Sequence, residues 1–305
     1  MQGHQVALPC RPTIIAPLGD IQWTVNPERD IAVTALKAHI ARALAFEKQG
    51  FNVRFLGMGD YIDYMSPGNR RRHQAAGLHD NALDTADEAA NRLIESLYGE
   101  VLAPTTGKWL GMLRGHHFHK YESGETSDNV LMKKLGAKHL GDSCFIQLGY
   151  KFHGSGGVIV LWAHHGEGSG SKLHSMLLKI ENLLPFWEAD AFFVGHLPKL
   201  AHSPANRVYA SFPHKGGDFR LRHKTIHLVC TGGWYKSYVE NAMRGSEPGG
   251  AYPEKKMLTP VVLGAPLYYV TPKWDRVSDP ALGRRANDWG YRQHKWFNPE
   301  TRVEV

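Results

Sequence analysis

Short apolar runs alternate along the chain with amphipathic stretches of helical period, a pattern that predicts an α/β fold. Each run is short enough for a strand, and turn-forming or polar residues follow it. The predicted strands are Thr13–Leu18, Val53–Met58, Trp109–Leu113, Phe145–Leu148, Val158–Trp162, Ala191–Val194, Thr225–Val229 and Val261–Val270.

Three stretches between these runs predict helices. The first begins at Asn26-Pro27, where Asn suits the N-cap and Pro the first helical turn, and extends to about Lys48. The second spans roughly Asp80 to Leu97, and the third follows the loop at residues 166–170. Apolar side chains recur at helical spacing in the last two, at Leu83, Ala86, Ala90, Leu93, Leu97, Leu173, Met176, Leu177, Ile180 and Leu184.

The chain has 305 residues and no clear linker, so we predict a single domain over residues 1–305. Residues 271–305 are rich in Arg, Trp, Pro and Asn and are predicted to form an irregular covering segment or tail. No apolar run is as long as a membrane span, and the N-terminus does not resemble a signal peptide, so we expect a cytoplasmic protein without a membrane partner. The oligomeric state stays open.

Five of the apolar runs end in residues that can bind metal ions. The ends of parallel strands converge on one edge of a sheet, so these side chains are expected to meet. Carboxylates mixed with imidazoles suit Mn, Fe or Zn better than Mg or Ca. The five segments are Gly19-Asp20-Ile21-Gln22, Gly59-Asp60-Tyr61-Ile62-Asp63, Gly115-His116-His117, His164-His165-Gly166 and Gly195-His196.

This series resembles the calcineurin-like metallophosphoesterase superfamily. The family motifs run Asp-x-His, Gly-Asp-x-x-Asp, Gly-Asn-His, a strand-terminal His and Gly-His-x-His. The second motif matches in full at Asp60 and Asp63, and the resemblance covers roughly residues 14–202. The chain departs from the family at Gln22 and Pro198, which replace histidines, and at His116, which replaces Asn.

The resemblance implies a four-layer sandwich of two mixed β-sheets flanked by helices, holding one or two Mn, Fe or Zn ions. By this resemblance Asp60 bridges the two ions, Asp20 and Gln22 bind the first, and Asp60, His116, His164 and His196 bind the second. We prefer His164 to His165 because it lies nearer the end of the apolar run. His202 is a possible substitute for the ligand missing at Pro198.

The implied reaction is hydrolysis of phosphoesters by a metal-activated hydroxide, with His117 assisting the leaving group. Asp63 is expected to orient a neighbouring imidazole, and His119 adds a nearby donor. The net charge of +7 favours a phosphorylated substrate, nucleotides or nucleic acid among them, so a phosphodiesterase or nuclease is expected. The altered motifs leave an alternative: a catalytically impaired binding or scaffold protein that retains the fold and one metal site.

Overall fold

Two mixed β-sheets form the body of the protein. The computed structural model describes residues 1–77, 80–152, 155–168, 172–197, 199–211, 220–250, 252–257, 259–276 and 295–305. The strands are β1 (Gln2–Leu8), β2 (Thr13–Leu18), β3 (Asn52–Gly57), β4 (Trp109–Met112), β5 (Ser143–Phe152), β6 (Ser155–His164), β7 (Ala191–Val194), β8 (Leu200–Ser211), β9 (Arg220–Thr231), β10 (Met243–Arg244), β11 (Glu247–Pro248), β12 (Leu267–Thr271), β13 (Trp274–Arg276), β14 (Lys295–Phe297) and β15 (Glu300–Glu304).

Helices connect these strands and flank the sheets. The α-helices are α1 (Pro27–Asp30), α2 (Val33–Ala45), α3 (Pro67–Ala75), α4 (Asp80–Leu97), α5 (Ser127–Leu135), α6 (Leu173–Glu181) and α7 (Tyr252–Lys255). Short 3-10 turns occupy Phe46–Gln49 and Ala103–Thr105, and a π-helical turn, Tyr98–Leu102, follows α4. None of the helices in the described part of the chain combines the length and apolarity that a membrane crossing needs.

The first sheet has the strand order β1-β5-β6-β7-β9-β8, and the second has the order β15-β12-β2-β3-β4. Strands β2, β3 and β4 are mutually parallel, and so are β6, β7 and β9. Their carboxyl ends therefore gather at one edge of each sheet, where loops can aim side chains at a common point.

The two sheets share a buried apolar cluster, to which the second sheet contributes Ile15 and Leu56 and the first contributes Ile146 and Phe193. A second cluster joins the outer face of the second sheet to α2 and α4, and a third joins the outer face of the first sheet to α6. The predicted α/β class with two mixed sheets flanked by helices is thus confirmed, and the arrangement is compatible with a sandwich.

The predicted first helix is interrupted after α1. Ile31 takes an extended conformation and forms a β-bridge with Tyr235, and the Ala32 amide donates to the carbonyl of Trp234. These long-range main-chain bonds replace one helical turn, so the regular helix starts at Val33. Local capping signals at Asn26-Pro27 cannot report such a partner.

The described part of the predicted C-terminal covering segment or tail is regular and not irregular. Residues 300–304 form β15, which pairs antiparallel with β12, and β14 pairs with β13. The edge strands β1 and β8 also escaped prediction, because their mostly exposed positions carry little hydrophobic pattern. Residues 277–294 of the predicted tail lie outside the described residues.

Candidate metal centre

Five side chains converge where strands of the two sheets end. Asp20 follows β2, Asp60 follows β3, His116 follows β4, His165 follows β6 and His196 follows β7. The exit loops of β2 and β3 are joined by a hydrogen bond from the Asp20 amide to the Gly59 carbonyl (3.0 Å). The two sheets are joined by His165, whose Nδ1 lies 2.6 Å from the carbonyl oxygen of Met58.

Asp60, His116, His165 and His196 form a four-residue cluster in which one ligand atom from each lies within 4.8 Å of the others. The Nδ1 atoms of His116 and His196 are 3.2 Å apart. Two nitrogens bound about 2.1 Å from the same tetrahedral ion are about 3.4 Å apart, so this spacing suits a shared cation. The four-residue cluster therefore has the size and donor types of a transition-metal site.

Each of the two buried carboxylates uses one oxygen to hold the loops. Asp60 Oδ1 accepts the amides of His116 and His117, and Asp20 Oδ2 accepts the amide of His196 at 2.9 Å. Within the described residues, the other oxygens, Asp20 Oδ1 and Asp60 Oδ2, are buried without a hydrogen-bond partner. His165 Nε2 is also buried without a hydrogen-bond partner: it is 3.3 Å from Asp60 Oδ2 but is not aligned for a hydrogen bond.

Buried polar atoms without partners are costly, by about 1–3 kcal/mol each and more for charged groups. Three of them at one point are explained if a cation normally satisfies them. Asp20, Asp60 and His165 are almost wholly shielded from solvent, so water is a poor substitute. The donor set thus fits a divalent ion.

The backbone at this site is strained. Asp20, Gln22, Asp60 and His196 have φ values of 47°, 51°, 53° and 69°, and they are four of the six non-glycine residues with positive φ in the described chain. Left-handed backbone costs such residues roughly 1–2 kcal/mol each. The surrounding structure must enforce this conformation, and strain of this kind is concentrated at functional sites.

The imidazoles of His116 and His196 are suited to act as neutral ligands. Burial lowers the pKa of both, His165 lowers it further, and the pKa of His196 reaches about 4. Burial also lowers the pKa of His165, but the adjoining Asp60 carboxylate outweighs it and raises that pKa to about 9. Burial raises the pKa of Asp20 to about 7. Without an ion, a proton on His165 balances part of the carboxylate charge.

His117 stands beside the four-residue cluster with its ring held by Asp63. Its Nδ1 is 2.9 Å from Asp63 Oδ1, which is the contact expected of Asp63, and its amide donates to Asp60 Oδ1. Burial opposes protonation, but the Asp63 hydrogen bond and the charges of Asp60 and Asp63 raise the pKa of His117 above its usual value. The side chain is 27% exposed, so the ring remains accessible to a substrate.

The structure places His165, not the preferred His164, in the four-residue cluster. Side chains alternate along β6, so His164 lies on the side of Trp162, against which its ring stacks, while Ala163 faces the core shared by the sheets. His164 Nδ1 also accepts the Gly166 amide at 2.6 Å. The preference based on distance from the apolar run ignored this alternation.

The other predicted residues make the following contacts. Gln22 donates its main-chain N–H to the Asp60 carbonyl at 2.9 Å, so it helps to pair the β2 and β3 exit loops. His202 does not reach the four-residue cluster: its Nε2 is 3.0 Å from Nδ1 of His227, whose Nε2 is 2.9 Å from the Thr301 hydroxyl. Pro198 lies outside the described residues.

Two residues that support the site were missed. Arg70 Nη1 donates to the carbonyls of His116 (2.6 Å) and Phe118 (3.0 Å), and Asp128 Oδ2 accepts the Gly115 amide (3.1 Å). Arg70 belongs to the basic run 70–72, and the sequence does not indicate which arginine turns inward. Nothing in the sequence indicates that Asp128 supports the site, because its partner is a main-chain amide.

His119, expected to be a nearby donor, is buried and faces away from solvent (5% exposed). Its Nε2 is hydrogen-bonded to Asp87, and its ring packs edge-on against Tyr64 and Tyr121. His119 therefore stabilises the segment after His117 by packing it against the protein interior.

No family model matches the chain, and no curated protein matches it either. Its function is therefore inferred from the residues that meet at the strand ends, beginning with the four-residue cluster and its unpartnered atoms.

Proposed function

We propose that the protein is a metal-dependent phosphoester hydrolase with a four-layer sandwich similar to that of the calcineurin-like metallophosphoesterases. The observation that carries the proposal is the four-residue cluster, in which Asp60 Oδ2 and His165 Nε2 are buried without hydrogen-bond partners. The order of the ligand-bearing strands along the chain supports it, since it agrees with the order of the family motifs.

Asp60, His116, His165 and His196 would hold one ion, and their three nitrogens and one oxygen favour Mn, Fe or Zn. Asp20 Oδ1 is a further buried oxygen without a hydrogen-bond partner among the described residues, and it would be available to a second ion. When bound, such ions lower the pKa of water and neutralise charge on phosphate oxygens.

The chain's own residues orient the ligand atoms and supply a proton to the departing group. The bond between His165 Nδ1 and the Met58 carbonyl fixes the proton on Nδ1 and leaves Nε2 free as a ligand atom. Asp63 holds His117 through Nδ1, so a proton on Nε2 of the partly exposed ring is not held by Asp63. His117 would donate this proton to the oxygen of the departing group.

Metal analysis paired with a hydrolysis screen tests the proposal. The protein is stripped with EDTA, reloaded with Mn or Zn, and assayed for bound metal and for cleavage of an aryl phosphodiester and the matching monoester. We expect at least one ion per chain, metal-dependent hydrolysis, and a gain in unfolding free energy of about 2.7 kcal/mol at a metal concentration 100 times Kd. A protein that binds no added metal would refute it.

The alternative, a binding or scaffold protein with one metal site, is favoured by Gln22 and Pro198 standing where the family has histidines. It predicts that the metal-loaded protein binds its ion but hydrolyses neither ester. It also predicts that Asp60→Asn leaves partner binding intact, whereas a hydrolase loses its turnover with this change.

A further inference from the structure

Helix α3 lies next to the proposed centre and is strongly basic. Residues 66–77 contain three arginines and one histidine and no acidic residue. The helix is capped by Ser66, whose hydroxyl accepts the Asn69 amide. A basic, well-formed helix at this place can supply positive charge to whatever occupies the site.

Arg70 ties α3 to the segment that carries His116 and His117. Its Nη1 donates to the carbonyls of His116 and Phe118 and to that of Met65, and its guanidinium lies 3.8 Å above the Phe118 ring. The position of α3 is therefore fixed relative to the centre, and so are the next residues along the helix.

Three exposed cations sit on the two segments that Arg70 joins: Arg71 and Arg72 on α3, and Lys120 two residues beyond Phe118. We call them the basic ridge. In the part of the chain that the structure describes, none of the three forms an ion pair, whereas Arg114, on the exit of β4, is paired with Asp142. None of these three charges is therefore neutralised by an ion pair with a described residue.

The acidic groups nearest in sequence, which include the exposed Asp80 and Asp84 at the start of α4, form no ion pair with the basic ridge among the described residues. Asp63 is hydrogen-bonded to His117, and Asp87 is paired with His119. Glu122 is exposed, but no ion pair links it to Lys120 within the described residues.

The two segments also enclose space of ligand size. A cavity of about 260 Å³ is lined by residues of α3, α4 and the segment after Phe118, among them Arg70, His73 and Lys120 and the carboxylates Asp87 and Glu122. His119 borders the cavity, and among described residues its buried Nδ1 has no hydrogen-bond partner. The region is thus large enough to accept more of a substrate than one phosphate.

We propose that the basic ridge binds the phosphates that flank the scissile phosphodiester, so that the substrate is a nucleic-acid strand and not a small phosphate ester. This inference rests on the proposed phosphoesterase function, because it assigns the substrate class of the same site. Backbone phosphates are recognised by exposed Arg and Lys side chains largely without regard to base sequence.

The test compares the triple variant Arg71→Gln/Arg72→Gln/Lys120→Gln with the double variant Lys48→Gln/Lys151→Gln. The control lysines are exposed and lie at the opposite edge of the sheets, before β3 and near the end of β5. Binding of fluorescent 12-residue oligodeoxythymidylate and oligouridylate is measured by anisotropy in EDTA. The salt concentration is varied between about 50 and 200 mM, a range over which affinity that depends on phosphate contacts falls steeply. Hydrolysis of the aryl phosphodiester is measured separately with Mn.

We expect the triple variant to bind at least one oligonucleotide about tenfold more weakly and to reduce the slope of log affinity against log salt by about 2, since each lost contact to a single strand contributes about 0.7. Its hydrolysis of the aryl diester should stay within about twofold of the wild type, because the basic ridge does not contact the small ester. Single variants at each position should show fractions of the same loss.

If the triple variant binds the oligonucleotides with the affinity and salt slope of the wild type, the proposed role of the basic ridge is wrong. An equal loss of affinity in the control variant would also overturn it, because it would mean that the oligonucleotide is attracted by the overall positive charge. Loss of aryl diester hydrolysis in all three single variants would also overturn it, because the residues would then act at the centre. Failure of the wild type to hydrolyse the aryl diester contradicts the proposed function instead, and leaves the EDTA binding data to judge the basic ridge.

Discussion

His165 has a different role at each ring nitrogen. Nδ1 is bound to the Met58 carbonyl from the facing sheet, and Nε2 is buried beside Asp60 Oδ2 without a hydrogen bond. An imidazole whose outer nitrogen is fixed in this way presents its other nitrogen as an oriented ligand. The neighbouring His164 has the same side chain but lies on the other face of β6, which makes it a matched control.

We therefore predict that His165→Ala weakens metal binding and that His164→Ala does not. Losing one of four ligands should lower affinity by more than the roughly tenfold that follows the loss of an outer hydrogen bond. Calorimetric titration of the EDTA-stripped variants with Mn or Zn measures this. Equal affinities in the two variants, or weaker binding in His164→Ala, would contradict the placement of His165.

In the proposed mechanism His117 protonates the leaving group. Asp63 holds its ring and raises its pKa although burial opposes this. We predict that His117→Asn retains metal but lowers kcat by about 10² to 10⁴. The loss should be larger for an alkyl leaving group than for a nitrophenolate, which departs without a proton. The exposed His174 on α6 provides the control, His174→Asn, whose kcat should be unchanged.

The leaving-group comparison separates two roles for His117. An equal loss for both esters would show that the ring only stabilises charge or supports His116. Loss of metal along with activity would mean that the change damaged the centre, and it would remove His117 from the proposed proton transfer.

At the scale of elements, the turns at the strand ends pack against one another closely enough to demand glycine. A Cβ on Gly115 would lie 2.0 Å from the Asp60 amide nitrogen, and one on Gly59 would lie 2.4 Å from His165 Nδ1. The first contact is with a main-chain atom, and the position of a Cβ is itself fixed by the backbone, so no side-chain rotation relieves it. The exits of β3 and β4 are thus in direct backbone contact.

We predict that Gly115→Ala destabilises the protein by about 1–3 kcal/mol, the usual cost of overpacking, and weakens metal binding with it. Gly99 is the control: it lies in the helical turn after α4, and a Cβ there meets no atom within 4 Å. Gly99→Ala should be neutral or stabilising by about 0.5–1 kcal/mol. Urea unfolding measures both, and a Gly115→Ala protein as stable as the wild type would contradict the close packing of the exits.

At the scale of the whole molecule, stability depends on histidines that are held neutral. Burial lowers the pKa of His39 to about 4, with help from Arg42, and its ring packs on Trp234 at 5.4 Å between centroids. Its Nε2 is buried without a hydrogen bond within the described residues. His39 connects α2 to the loop after β9, so its protonation affects contacts between distant parts of the chain.

The folded-state pKa of His39 lies below the value of about 6.5 expected in the unfolded chain. Its contribution is therefore fully present above pH 6.5 and is lost as the pH falls from 6.5 toward 4. We predict that His39→Phe, which keeps a ring on Trp234, reduces the loss of unfolding free energy between pH 7 and 5 by about 1–2 kcal/mol. Urea unfolding at both pH values measures the difference, and identical pH dependence in variant and wild type would contradict it.

The sequence by itself determined the α/β class, the central strands and the helices α4 and α6. It also located all five strand ends that supply the candidate site, and it identified the contributing side chain at four of them: Asp20, Asp60, His116 and His196. These features follow from local causes: apolar periodicity marks buried strands, and glycine followed by a polar residue marks their exits.

Only the tertiary structure decided between His164 and His165, because the choice depends on which face of β6 meets the other sheet. It also showed that His202 contacts His227, which in turn contacts Thr301. Arg70 donates to the carbonyls of His116 and Phe118, and residues 300–304 form a strand of the second sheet. In each case the deciding partner is a main-chain group or a side chain far away along the chain. Such partners leave no periodic signal in the segments that they bind.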